Sequence, residues 1–245
     1  MSLSYPMDSY LEYRLSICEI YQVMMEEQVL GYFGLLEESL HFFHVLLEHH
    51  EIAPMAFCEI LSSFKPKSVY VMTQDSLFLA VLSEWDYEKK NESCLFIDSN
   101  KRYLITKDIE GLTIHLAQLK DRERILEGTG AFYDSLEQRI TEQTIFLFEQ
   151  GDQLLGCGHI ERSLYCKDYV SVGMITCAEY RRKGIGQKII LCLKDWAYQN
   201  GLKPIAGCSY SNRLSRKTLE KAGMVVIGIG YEAILLSKNE EKSSL

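Results

Sequence analysis

The pattern of apolar and polar residues changes at about residue 110 and divides the chain into two halves. In the first half, apolar residues recur at helical spacing at Leu36, Leu40, Phe43 and Leu47. This spacing predicts helix over residues 8–63. Short runs rich in β-branched and aromatic residues predict strands at Lys67–Thr73, Leu77–Ser83 and Cys94–Asp98. The first half is therefore expected to be a mixed α/β domain without a repeat.

From Leu112 the pattern becomes regular, and it predicts the order strand, two helices, three strands, helix, strand, helix, strand. The predicted elements are Leu112–Leu119, Asp121–Glu127, Asp134–Thr141, Thr144–Glu149, Leu154–Tyr165, Tyr169–Cys177, Gly184–Gln199, Pro204–Tyr210, Asn212–Ala222 and Met224–Leu235. The pair Asn200-Gly201 is typical of a helix C-terminus. We therefore expect two domains, residues 1–110 and 111–245.

Charge is distributed unevenly between these halves. Residues 1–110 carry 8 Lys and Arg against 18 Asp and Glu, a net charge of −10, whereas residues 111–245 carry 18 against 16. A general nucleic-acid binder needs a basic surface, so the total of −8 argues against that role. Cations cluster in the second half, at residues 181–183 and at Arg213, Arg216 and Lys217. The second half is therefore the place to look for anion binding.

The remaining sequence features argue against metal-binding motifs, membrane-spanning helices and a secretory signal. The 8 cysteines form no CxxC pair, no apolar run approaches the length of a spanning helix, and the N-terminus lacks the pattern of a secretory signal. We therefore expect a soluble, cytoplasmic protein that binds no membrane. On a helix, Glu37, His41, His44 and Glu48 would share one face, but a solvated polar face explains them better than a metal site.

The segment Met174–Gln187, with the sequence MITCAEYRRKGIGQ, has the composition of an anion site. Three cations and two glycines lie where a predicted strand turns into a predicted helix. The glycines allow close approach to the backbone, and the amides and dipole of a helix N-terminus attract negative charge. The spacing matches neither a P-loop nor a dinucleotide-binding fingerprint.

The run Arg181-Arg182-Lys183-Gly184-Ile185-Gly186 resembles the pyrophosphate loop [QR]-x-x-G-x-[GA] of the GNAT acyl-CoA N-acyltransferases. The resemblance continues in register to Asn212-Arg213-Leu214-Ser215, similar to the family's Asn-x-x-[AS], and to Glu220-Lys221-Ala222-Gly223-Met224, similar to E-K-x-G-[FY]. It covers about residues 144–235. A finer resemblance is to a subgroup with an extra N-terminal domain, which includes a zwittermicin-resistance acetyltransferase.

This resemblance implies a GNAT fold in the second half, with a mixed α/β sheet whose fourth strand splays from its neighbour, and acetyl-CoA as cosubstrate. Backbone groups of that strand would pair with pantetheine, and an N–H there would stabilise the oxyanion. Asn212 and Ser215 would contact pantetheine or cap their own helix. The implied cofactor-binding residues are Met174, Ile175, Thr176, Arg181, Arg182, Lys183, Gly184, Ile185, Gly186, Gln187, Asn212, Ser215 and Arg216.

The chain departs from the family at the usual proton donor. Many GNAT enzymes carry a Tyr seven residues after the Asn of Asn-x-x-[AS], and that position is Leu219 here. We predict that Tyr231 is the donor instead, with Tyr210 lining the acceptor site or packing. The alternative is unassisted departure of the thiolate. The candidates for the base that takes the amine proton are Glu161, Asp168 and Glu232, and Glu161 is our choice.

The resemblance predicts direct transfer of an acetyl group to a primary amine of a small molecule. The acidic first half favours a cationic acceptor, and a homodimer is compatible with the sequence. A non-catalytic acyl-CoA-binding module on the same fold is the alternative. A tandem-GNAT aminoacyl transferase acting on charged tRNA is disfavoured by the intact loop and the acidic first half.

Overall fold

The computed structural model describes residues 6–101 and 109–236, and its contacts group them into two compact units. The N-terminal unit comprises the described residues of 10–94, 209–211 and 227–245. The C-terminal unit comprises those of 1–9, 95–208 and 212–226. Strands β5 (Tyr87–Asp98) and β11 (Met224–Leu235) therefore contribute residues to both units.

The described part of the N-terminal unit contains four further strands and three α-helices, with a short 3-10 helix at Leu47–Ile52 before the second of these helices. They are α1 (Ser9–Ser16), β1 (Glu19–Met25), β2 (Gln28–Leu36), β3 (Ser39–Val45), α2 (Ala53–Phe64), β4 (Ser68–Met72) and α3 (Ser76–Leu82). Strands β1, β2 and β3 pair antiparallel, β3 pairs parallel with β4, and β4 pairs antiparallel with β11. Phe43, Phe57 and Phe78 lie at the centre of its core.

The prediction of helix over residues 8–63 is wrong between Glu19 and Val45, where three strands form instead. Residues four apart share a face on a helix and also on a strand, so the spacing of Leu36 and Leu40 fits both. The hairpin turn at Glu37, with φ of 55°, separates those two residues. Glu37 lies in this turn and Glu48 lies beyond the end of β3, so the helical face on which a metal site was considered does not form.

The prediction of a strand at Leu77–Ser83 is also wrong, since α3 occupies this segment. The side chain of Asp75 accepts a hydrogen bond from the amide of Phe78 at 3.2 Å, and this N-cap selects the helix over the extended form. The strands predicted at Lys67–Thr73 and Cys94–Asp98 are confirmed in β4 and in the second half of β5.

The C-terminal unit confirms the predicted order of elements. They are β6 (Leu112–Leu116), α4 (Arg122–Thr129), α5 (Leu136–Thr141), β7 (Ile145–Gln150), β8 (Gln153–Arg162), β9 (Tyr169–Thr176), α6 (Ile185–Gln199), β10 (Lys203–Ser209) and α7 (Arg213–Lys221), followed by β11. The strand order is β10-β9-β8-β7-β6. Each unit thus contains a parallel strand–helix–strand segment, β3–α2–β4 and β9–α6–β10, a repeat that the sequence pattern did not indicate.

Strands β9 and β10 pair over only part of their length. Residues Tyr169–Ser171 pair parallel with Lys203–Ile205, whereas residues 172–176 continue along β8 alone. The amide of Cys177 donates to Leu155 on the β8 side. Because backbone groups alternate along an antiparallel strand, the amides of Met174 and Thr176 point the other way, toward the open edge. The predicted splay of the fourth strand is therefore present in this unit.

The two faces of β8 carry different layers. Gly156 and Gly158 lie against Ile189 and Leu193 of α6. Because side chains alternate along a strand, Cys157, His159 and Glu161 lie on the opposite face, on the side of α4 and α5. Cys157 packs there in the cluster that contains Ile125 and Tyr133.

Candidate functional site

The candidate anion site is the turn between β9 and α6. Arg182 and Gly184 both have left-handed backbone conformations, with φ of 61° and 85°. A side chain at position 184 would point into open space, since no atom lies within 4 Å of a Cβ built there. This geometry leaves the backbone of the turn accessible to a ligand.

The first turn of α6 supplies hydrogen-bond donors to this turn. Gly184 is the N-cap and offers no side-chain cap, and the first amide to bond within the helix is that of Lys188, which donates to Gly184 at 3.0 Å. The amides of residues 185–187 precede it and are the groups that a helix N-terminus leaves unsatisfied. Together with the helix dipole, they favour an anion such as a pyrophosphate.

The cations of the turn are held close to it. Arg181 donates from Nε to the carbonyl oxygen of Thr176 at 3.2 Å, which ties the side chain to the open end of β9. The ammonium of Lys183 lies 5.1 Å from the centre of the Tyr180 ring. Arg181, Arg182 and Lys183 thus place three positive charges in one turn, beside the uncapped amides.

The structure also brings together the predicted strand and the predicted loop. A Cβ at Gly186 would lie 3.3 Å from Oγ1 of Thr176 and 3.4 Å from Sδ of Met174. Met174 and Thr176 therefore face α6 directly beside the anion site, while Ile175 packs on the opposite face. Ile185 is buried and Gln187 donates to the carbonyl of Lys221 at 2.8 Å, so both side chains are structural and only their amides face the turn.

The predicted residues on α7 are mainly engaged within their own helix. Asn212 is the N-cap and accepts from the amide of Ser215 at 3.0 Å, so the capping alternative holds. Arg216 donates to Glu220 at 2.9 Å. Contacts of these residues with a ligand stay a prediction.

Asn212→Ala should lower the free energy of unfolding by about 1 kcal/mol, because the amide of Ser215 loses its partner. Asn212→Ser is the matched control, since serine keeps the cap but removes the carboxamide. Urea unfolding measures the first effect, and equal stability of the alanine variant and the wild type would contradict it. The CoA affinity of Asn212→Ser reports separately whether the carboxamide contacts the ligand.

Of the three predicted bases, Glu161 is the one on the face of β8 that α4 and α5 cover. Burial acts to raise its pKa, but hydrogen bonds from Ser9 and Arg139 and the charge of Arg139 outweigh burial and hold the pKa below its usual value. Asp168 is exposed at the opposite end of β9, and Glu232 accepts from Ser68 in the N-terminal unit. A paired carboxylate of low pKa is a weak base, and the role of Glu161 stays a prediction.

Tyr231 belongs to the core of the N-terminal unit, where its side chain is 2% exposed. Its hydroxyl lies 3.2 Å from that of Tyr87, and the two rings stack. Burial and this hydrogen bond raise its pKa. Tyr210 is 39% exposed in the same unit. The position of Tyr231 is typical of a packing residue, and the donor role of Tyr231 and the acceptor-site role of Tyr210 stay predictions.

If Tyr231 donates the proton to the thiolate, Tyr231→Phe should lower kcat by about 10²–10⁴ with little change in CoA affinity. Tyr87→Phe is the control, because it removes the same hydrogen bond and leaves the proposed donor in place. An unchanged kcat in Tyr231→Phe would leave unassisted departure of the thiolate as the mechanism.

Two family profiles match the chain. The profile of the GNAT acetyltransferase family matches residues 115–224, and that of a GNAT acetyltransferase domain matches residues 1–99. The first half, expected only as a mixed α/β domain, is thus a second GNAT domain. No curated protein matches the sequence. None of the described helices is long and apolar enough to cross a membrane.

The fold resembles those of solved GNAT proteins at low sequence identity. A GNAT acetyltransferase from Colwellia psychrerythraea superposes with a TM-score of 0.82 at 16% identity, over 96% of this chain and 92% of that one. A tandem GNAT protein from the clavulanic acid biosynthesis pathway gives 0.60 at 8% identity, over 88% and 82%. A GCN5-related N-acetyltransferase from Sphaerobacter thermophilus gives 0.58 at 12% identity, over 86% and 79%. The two family profiles, over residues 1–99 and 115–224, show that the chain belongs to the GNAT acetyltransferases and carries two GNAT domains in tandem.

Proposed function

We propose that the C-terminal unit binds acetyl-CoA and transfers its acetyl group directly to a primary amine of a small molecule. GNAT domains use acyl-CoA, which makes the chain an acyltransferase. One observation carries the finer proposal: the uncapped, cationic, glycine-containing turn lies beside the open end of β9. The turn supplies donors and positive charge for a pyrophosphate, and the strand supplies unpaired backbone groups for the amide-bearing pantetheine arm.

The corresponding turn of the N-terminal unit lacks these features. Residues 46–52 connect β3 to α2 and contain Glu48 and Glu51 but no glycine and no Lys or Arg. The helix begins at an isoleucine N-cap and has a proline in its first turn, which removes one amide donor. Negative charge at this position repels a pyrophosphate. We therefore assign one acetyl-CoA site per chain, in the C-terminal unit.

The residues of this site provide two contributions to acetyl transfer. The amides of Met174 and Thr176 point toward the open edge of β9, where a donor can stabilise the oxygen that becomes negative during attack on a thioester. The turn at residues 181–187 fixes the position of the cosubstrate, so that attack by the amine becomes effectively intramolecular. Removal of one oxyanion donor typically costs about 10²–10³ in kcat.

Release of free thiol from acetyl-CoA in the presence of a panel of primary amines tests the proposed function, with mass spectrometry of the acetylated amine as the second readout. Amine-dependent thiol release with one acetylated product per thiol supports it. CoA binding without turnover of any amine in the panel would favour the non-catalytic acyl-CoA-binding module. Absence of CoA binding would overturn both.

A further inference from the structure

His159 lies on the face of β8 that α4 and α5 cover, opposite the residue that precedes Met174 on β9. It pairs with Gly173 of β9 in the antiparallel register. A Cβ at Gly173 would overlap Cε1 and Nε2 of His159, so the imidazole ring lies over the backbone where a side chain would otherwise stand. The residue that follows Gly173 is Met174, whose amide points to the open edge. The ring thus lies over Gly173, the residue that precedes Met174, whose amide is a proposed oxyanion donor.

Two aromatic rings from the connection between α4 and α5 enclose this imidazole. Tyr133 meets it edge-on, with ring centres 5.5 Å apart and planes at 89°, and Phe132 lies at 6.1 Å. Tyr133 is buried, whereas Phe132 is 47% exposed. Phe132 therefore presents an apolar ring to solvent at one side of the cluster.

The cluster contains two buried polar atoms without a hydrogen-bond partner, Nδ1 of His159 and the hydroxyl of Tyr133. Native proteins rarely leave such atoms unpaired, since each costs free energy unless a water or a ligand satisfies it. Glu161 is not the missing hydrogen-bond partner of His159, because its carboxylate is paired with Arg139 and accepts a hydrogen bond from Ser9. The two rings are in contact, so both unpartnered atoms belong to one cluster, which points to a polar ligand there.

Building on the proposed function, we propose that His159, Tyr133 and Phe132 form the acceptor site of the C-terminal unit, with His159 as the base and a primary amine on an apolar substituent as the substrate class. The amine nitrogen attacks the thioester carbonyl carbon, a C–N bond forms, and the C–S bond breaks with its electron pair on sulfur. A ring nitrogen of His159 takes the proton that the nitrogen loses. The Tyr133 hydroxyl orients the amine, and Phe132 packs on its substituent.

Burial lowers the pKa of His159 to about 4, with Glu161 opposing and Arg139 reinforcing the effect. The ring is therefore neutral at pH 7 and can accept a hydrogen bond from the amine. Because an imidazole of this pKa is a weak base, the proton moves to it only after the C–N bond has formed and the attacking nitrogen has become positively charged.

His159→Ala should lower kcat by about 10²–10⁴ at unchanged CoA affinity, with phenethylamine as acceptor. Imidazole added to the buffer should restore part of the rate, because it fills the space that the ring leaves; a structural histidine would show no such rescue. The control is His115→Ala, which removes an exposed histidine of the same unit, 3.6 Å from Glu149. Unchanged turnover in a folded His159→Ala would overturn the assignment.

Tyr133→Phe removes an unpartnered hydroxyl, so its Tm should not fall, while its KM for phenethylamine should rise about 10-fold. Calorimetry of phenethylamine binding to the CoA complex gives a readout independent of turnover. Equal affinity in wild type, Tyr133→Phe and His159→Ala would overturn the acceptor site even if acetyl transfer occurs. Weakened amine binding in the variants without turnover would instead support the site and refute the proposed function.

Discussion

Gly184→Val is expected to weaken CoA binding by at least about 100-fold while the protein stays folded. Valine is strained at a φ of 85°, so the turn must change conformation, and its side chain would occupy the space from which a phosphate reaches the amides of residues 185–187. Charge-assisted hydrogen bonds contribute about 1.5–3 kcal/mol each, so the loss of two corresponds to a factor of roughly 10²–10⁴. Isothermal titration with CoA measures this change.

Gly201→Val is the matched control for that variant. Gly201 follows the other end of α6, has a φ of 70°, and also faces open space. Both substitutions carry a backbone penalty of about 1–2 kcal/mol, so similar losses of thermal stability are expected. Only the Gly184 variant should lose CoA affinity. Wild-type affinity in a folded Gly184→Val would refute the assignment of the anion site.

Lys194→Met is expected to destabilise the protein by about 3–5 kcal/mol. The ammonium of Lys194 lies 2.8 Å from Oδ1 of Asp98 and donates to the carbonyl of Ala222 at 2.7 Å, and both charged side chains are 7% exposed. Methionine has a similar volume but leaves the Asp98 carboxylate buried without its counter-charge. Chemical denaturation of both proteins measures the difference.

An exposed ion pair provides the comparison for this effect. Arg122 lies 2.7 Å from Glu137, with side chains 44% and 65% exposed, and solvent weakens such pairs. Arg122→Met should therefore cost less than about 1 kcal/mol. Adding Asp98→Asn to Lys194→Met should recover part of the lost stability. Equal effects of the two methionine variants would contradict the structural role of the buried pair.

The C-terminal unit was predictable because local signals mark the ends of its elements. Gly184 and the Asn200-Gly201 pair bound α6, and Asn212 caps α7. Gly184 also belongs to the loop motif, so the same sequence signal predicts both the start of α6 and the anion site. In the N-terminal unit Asp75 marks the start of α3, but the spacing of Leu36 and Leu40 fits helix and strand equally. The turn at residues 46–52 contains neither the glycines nor the Lys and Arg of the motif.

The proposed acceptor site was not predictable in the same way. No motif in the sequence marks His159 or Tyr133 as a functional residue. Their relation depends on Gly173, which lies on another strand, and on two atoms that lack partners. Alternation along β8 places His159 on the side of α4 and α5, but only three-dimensional contacts reveal which residues of that layer meet it.

A crystal structure of the protein with acetyl-CoA tests the central claim most directly. We expect one cosubstrate per chain, with its pyrophosphate on the amides of residues 185–187 and its pantetheine arm along residues 172–176 of β9. A pyrophosphate on residues 46–52 of the N-terminal unit, or a pantetheine arm away from β9, would contradict the account.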